Sequence, residues 1–164
     1  MSLRQIREGS CGGLKMRIAG YNSCSMVDGE GVRFVIFTQG CLHHCWGCHN
    51  SHTWRFDGGN EISTDDLATM IWSHKRIDGM TLSGGEPFMQ QEECVKLLKQ
   101  IPKYLTVWIY TGYEWFHIKD TELAQMADYV VVGKFEQDKK IEGKYYGSSN
   151  QRIIEVKTGK EVEF

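Results

Sequence analysis

Three of the six cysteines in this chain fall within eight residues, in the run Gly40-Cys41-Leu42-His43-His44-Cys45-Trp46-Gly47-Cys48-His49-Asn50. Thiols this crowded, set among Gly, His and Trp, do not read as core packing. The isolated Cys24 and Cys94 do, because lone cysteines behave as small buried hydrophobes. The run follows directly on RFVIFTQG, whose β-branched and aromatic residues predict a strand over Arg33–Thr38. Residues 41–61 then show no periodicity, and a long irregular stretch inside a compact domain is usually functional. The fold must therefore hold this loop at the carboxyl end of a strand, where α/β sheets carry their functional loops.

The rest of the chain supplies such a sheet. Met16–Tyr21 reads as a strand, and the turn-rich NSCSMVDGEG leads into the next. Ser63-Thr64-Asp65-Asp66 ahead of Leu67, Met70 and Ile71 marks a capped helix start. Ile77–Leu82 reads as a strand ending in SGGEP. Gln90–Gln100 reads as a helix with Cys94, Val95, Leu97 and Leu98 inward. Leu105–Tyr110 is an apolar strand ending in TGY, and Thr121–Met126 a short helix. Tyr129–Val132 is a buried strand ending in GK. Arg152–Val156 and Glu161–Phe164 flank TGK and predict a C-terminal hairpin. Alternating strand and helix implies parallel βαβ units. Four or five units are too few for a closed eight-fold barrel. The expected fold class is α/β, a partial, open (βα) barrel with parallel strands.

Composition bounds the reading. A chain of 164 residues with 41% hydrophobic content suits one domain, expected over residues 16–164. Residues 1–15 lack an apolar core, are no secretory signal, and are set aside as a leader. A cytoplasmic, reducing compartment without disulfides is expected. The formal net charge of −2 predicts no bulk attraction to nucleic acid or to an anionic membrane face. No apolar run approaches the ~18 residues a membrane helix needs.

The spacing Cys41-x3-Cys45-x2-Cys48 differs from the paired C-x2-C of zinc ribbons and from the C-x2-C-x2-C run of ferredoxins. Three thiolates on one short loop can grip three corners of a 4Fe–4S cluster. The fourth iron is then left without a protein ligand, as the open position is in catalytic zinc sites. Gly47 lets the loop turn between the last two ligands. His43, His44, His49 and His52 have two readings. One of them completes a metal site, or they shield the cluster and hydrogen-bond its sulfurs.

Ser83-Gly84-Gly85-Glu86-Pro87 closes the next strand and should share the same mouth. Its glycines permit close approach to bare backbone. Its carbonyls and the Glu86 carboxylate, with no evident protein cation, fit an ammonium group.

Together these loops resemble the radical S-adenosylmethionine superfamily, with its three-cysteine loop and GGE motif. One departure is Gly47, where an aromatic usually precedes the third cysteine. The strings VDGEGVRFVIFTQGCLHHCWGCHNSHTW, LSGGEP, WIYTGY, VVGKF and GSSNQR resemble one branch that shares Gly47: the activating proteins of anaerobic ribonucleoside-triphosphate reductase. The resemblance spans Met16 to Ile154. It implies one 4Fe–4S cluster on Cys41, Cys45 and Cys48, with S-adenosylmethionine chelating the open iron. It places the cofactor beside Gly47, Cys48 and His49, with its amino group on Ser83, Gly84, Gly85 and Glu86. It implies reductive cleavage to a 5′-deoxyadenosyl radical, which removes a Cα hydrogen from a glycine of the reductase's large subunit. The protein substrate and a low-potential electron donor are the implied partners.

Asn50, Thr111, Gly112 and Lys134 are further candidates at the mouth, and GSSNQR at 147–152 is either a grip or a polar turn. Trp54, Trp108 and Trp115 read as core, and Trp54, in the long loop, is the one of them that is also a candidate for partner binding. The branch often has an acid before GK, where this chain has Val132. The rival readings are an activase of another glycyl-radical enzyme of formate-lyase type, a small zinc-binding interaction module, and an electron carrier.

Overall fold

The computed structural model describes residues 13–164. Eight strands form one open sheet in the order β3-β1-β2-β4-β5-β6-β7-β8. They are β1 (Lys15–Ser25), β2 (Arg33–Thr38), β3 (Asn60–Ser63), β4 (Gly79–Gly84), β5 (Thr106–Tyr110), β6 (Tyr129–Val132), β7 (Arg152–Glu155) and β8 (Lys160–Val162). The helices are α1 (Thr64–Ser73), α2 (Gln91–Gln100), α3 (Trp115–Ile118) and α4 (Glu122–Gln125).

The alternating centre of the chain behaves as its pattern predicts. β2, β4, β5 and β6 are parallel neighbours. They are buried on both faces, which is why they read as continuous apolar runs. The flanks differ from an all-parallel sheet. β1 pairs antiparallel with β2 and β3 on one side, and β7 pairs antiparallel with β6 and β8 on the other. The expected C-terminal hairpin is β7–β8. Residues 1–12 of the expected leader lie outside the described residues. Its end does not, because Lys15 belongs to β1 and the Leu14 carbonyl accepts the Thr64 N–H at 2.9 Å.

The Ser63 hydroxyl accepts the Asp66 N–H at 3.0 Å and starts α1 as the sequence predicts. Leu67, Ala68 and Ile71 of α1 meet Cys94, Leu97 and Leu98 of α2 over one face of the sheet. Period-2 alternation sends neighbouring strand residues to opposite faces. Val107 and Ile109 join the helix side, whereas Trp108 joins Val131 and Ile153 on the other, with Tyr110, Tyr129 and Tyr145 packed around them.

Candidate functional site

Register sets the site. Phe37 pairs with Ser83 and Thr38 with Gly84, so the cysteine loop and the SGGEP turn leave the sheet at one level. Tyr110 pairs with Val131, which brings the TGY and GKF segments beside them. The Gly85 N–H donates to the Thr38 carbonyl at 2.8 Å, and the Glu86 N–H to the Gly40 carbonyl at 2.9 Å. A Cβ on Gly84 would stand 2.6 Å from Phe37 Cα. These glycines are therefore needed by the chain's own β2 end, in addition to any ligand.

The cysteine loop is stapled at its base. The Gly40 N–H donates to the Thr53 carbonyl at 2.6 Å, and the Cys41 N–H to that of Trp54 at 3.1 Å. Gly47 has φ +76°, the left-handed turn its position between the last two cysteines requires. The Asn50 N–H points at Cys48 Sγ at 3.4 Å. His44 stacks on Trp54 with ring centres 4.6 Å apart.

One cavity is lined by Cys41, Cys45 and Cys48 from this loop, by Ser83, Gly84 and Gly85 from the β4 end, and by Thr111 and Gly112 from the β5 end. Asn50 and Trp54 also reach it. Tyr110, Gly133, Phe135 and Gln151 complete its wall, and none of these four was singled out from sequence. The strings WIYTGY, VVGKF and GSSNQR contained them. Gln151 clips two loops together, accepting the Gly147 and Ser148 N–H groups and donating to the Gly133 carbonyl.

Other candidates stand elsewhere. Gly47 and His49 are exposed and do not line this cavity, although His49 stands against the Phe135 ring at 5.3 Å. Lys134 lines a neighbouring cavity with Leu42, Tyr113 and Glu114. Val132 is fully buried in the helix-side core, so its side chain does not face the mouth.

Glu86 departs most from expectation. The sequence predicts a free acceptor lacking a protein cation. Its side chain is wholly buried, and Oε2 lies 2.7 Å from Nε2 of His43. The same oxygen accepts the Gly112 N–H at 2.9 Å, and Oε1 accepts the Phe88 N–H at 3.1 Å and the Thr111 hydroxyl at 2.9 Å. A carboxylate this saturated braces the loops, and the Ser83 carbonyl in turn accepts the Thr38 hydroxyl at 3.0 Å.

The donor set fits an iron–sulfur cluster. The cavity wall offers three cysteines, and its one histidine, His43, spends Nε2 on Glu86. Burial pushes the Cys41 and Cys45 thiols above their ordinary value; the Phe135 backbone N–H and the Lys134 ammonium pull Cys45 the other way. Iron binding at these thiols would replace their protons. Among the described residues no three His, Cys, Asp or Glu side chains form a cage for one ion. Thiolates on a single zinc, each about 2.3 Å from it, must crowd together. Ligands on separate corners of a cube need not.

The sheet and the three-cysteine cavity define the class, a single-cluster iron–sulfur protein on an open α/β sheet. Residues 27–154 match the family model described as a 4Fe-4S single cluster domain. The chain is 35% identical over 138 residues to the anaerobic ribonucleoside-triphosphate reductase-activating protein of Enterobacteria phage T4, covering 79% of this chain and 88% of that one. It is 34% identical over 152 residues to the protein of that name from Pasteurella multocida, covering 84% of this chain and 96% of that one. The pyruvate formate-lyase 1-activating enzyme of Escherichia coli K12 is 42% identical over 81 residues, 46% of this chain and 33% of that enzyme. The chain belongs to the family of anaerobic ribonucleoside-triphosphate reductase-activating proteins.

Proposed function

We propose that this chain is an S-adenosylmethionine-dependent activase that installs a glycyl radical on the large subunit of an anaerobic ribonucleoside-triphosphate reductase. One observation carries the reading: three cysteines and the Ser83–Gly85 turn line a single cavity that, among the described residues, offers no fourth thiolate.

Cys41, Cys45 and Cys48 would hold three irons of the cluster. The Ser83, Gly84 and Gly85 carbonyls would accept the amino group of S-adenosylmethionine. When bound, this pair supplies one-electron cleavage chemistry that ends in hydrogen abstraction from a glycine Cα. The chain's own residues hold, orient and shield. Trp54, Tyr110 and Phe135 wall the cavity with apolar surface and exclude water. Leu42 and Trp46, 66% and 73% exposed on the cysteine loop, stand where a protein substrate would approach. A low-potential donor would reduce the cluster. No described helix is long and apolar enough to cross a membrane.

The test is anaerobic incubation of the reconstituted chain with S-adenosylmethionine, reductant and the reductase large subunit. A glycyl doublet in the paramagnetic resonance spectrum is expected. A doublet only with a formate-lyase-type partner would make the chain an activase of that other enzyme.

A further inference from the structure

The His43–Glu86 pair ties together three loops that leave three different strands. His43 comes from the cysteine loop, Glu86 from the β4 end, and Thr111 and Gly112 from the β5 end. Glu86 Oε2 already accepts the Gly112 N–H, and a carboxylate only accepts, so the imidazole Nε2–H donates to it. The side chains are 10% and 0% exposed. The His43 ring stands edge-on to Tyr113, centres 4.7 Å apart. It also fills the space over Gly112, where a Cβ would come within 2.5 Å of its Cδ2. The imidazole is thus seated by shape as well as by charge.

We propose that His43 is a positioning residue. Its bond to Glu86 fixes where the Ser83–Gly85 carbonyls stand relative to Cys41 and Cys45, and so sets the affinity for S-adenosylmethionine. The inference rests on the activase reading. Its physical basis is that removing His43 deletes one of the four donors that hold a buried carboxylate and leaves Oε2 under-paired. Glu86 must then move to restore its pairing, and its own backbone carries the turn with it. The fold does not depend on the pair, because His43 belongs to neither of the apolar clusters on the two faces of the sheet.

The experiment compares wild type, His43→Ala and His43→Gln, whose amide can donate in place of the imidazole. The dissociation constant for S-adenosylmethionine is read from the change in the reduced cluster's resonance signal, beside iron content and the saturated rate of 5′-deoxyadenosine formation. His43→Ala should keep its iron and bind the cofactor about ten- to a hundredfold more weakly. The saturated rate should change less, and His43→Gln should recover to within about threefold of wild type. Wild-type affinity in His43→Ala overturns the proposal, as does failure of His43→Gln to recover any of the loss. If His43→Ala takes up no cluster, amide exchange in the apoproteins decides. Selective acceleration at Gly112 and Phe88, about tenfold or more, supports the clasp. Acceleration spread evenly through β2, β4 and β5 overturns it. A wild-type protein whose cluster ignores S-adenosylmethionine would instead sink the activase reading.

Discussion

The guanidinium carbon of Arg33 lies 5.6 Å from the centre of the Trp108 ring. Arg33 starts β2, at the opposite end of that strand from the cysteines, and is fully buried. Its donors reach the Thr81 and Thr106 hydroxyls and the carbonyls of Glu30, Met80 and Thr106, at 2.7–2.9 Å. Burial pushes its pKa down to about 10, so it remains charged at neutral pH. Arg33→Ala should cost about 3–5 kcal/mol by stranding these acceptors. Arg33→Lys should recover only part of that, because a single ammonium cannot replace the fork. Urea unfolding of the apoproteins checks both.

Gly85 is the tightest point between the two site loops. A Cβ there would press on the Gly40 carbonyl and stand 3.0 Å from the Thr38 oxygen. Backbone cannot yield as a flexible side chain can. Gly85→Ala should therefore lower stability by about 1–3 kcal/mol and also weaken S-adenosylmethionine binding. Thermal unfolding and cofactor titration of the same protein test whether both losses appear together.

Cys94 and Cys24 serve as controls for the ligand assignment. Cys94 is fully buried in the helix-side core, and Cys24 is exposed on β1. Cys94→Ala should cost about 1–2 kcal/mol through lost packing and leave iron uptake intact. Cys24→Ser should change stability by less than about 0.5 kcal/mol. Iron analysis after anaerobic reconstitution should give wild-type content for both.

Much of this was legible in the sequence where signals are local. β2 and β6 fall on their expected bounds because each is a continuous apolar run flanked by Gly or polar turns. α1 was marked by its cap. β3 was not legible: Asn60–Ser63 has one buried residue, and its pairing with β1 comes from far along the chain. α3 was missed because four residues carry no helical period. The cysteine loop and SGGEP were found as separate strings, and their shared cavity follows from the β2–β4 register. What the sequence concealed was tertiary. His43 and Glu86 lie 43 positions apart, so no spacing rule joins them. Nor does the string SGGEP show that its glycines press on β2.

The most direct test of the account is iron-57 Mössbauer spectroscopy of the anaerobically reconstituted wild type, with Cys45→Ala alongside, before and after adding S-adenosylmethionine. The account predicts one cluster of four irons in the wild type, with one iron changing its isomer shift as the cofactor binds. It predicts loss of that response and of 5′-deoxyadenosine formation in Cys45→Ala. Four equivalent irons that ignore the cofactor, or wild-type cleavage by Cys45→Ala, would contradict it.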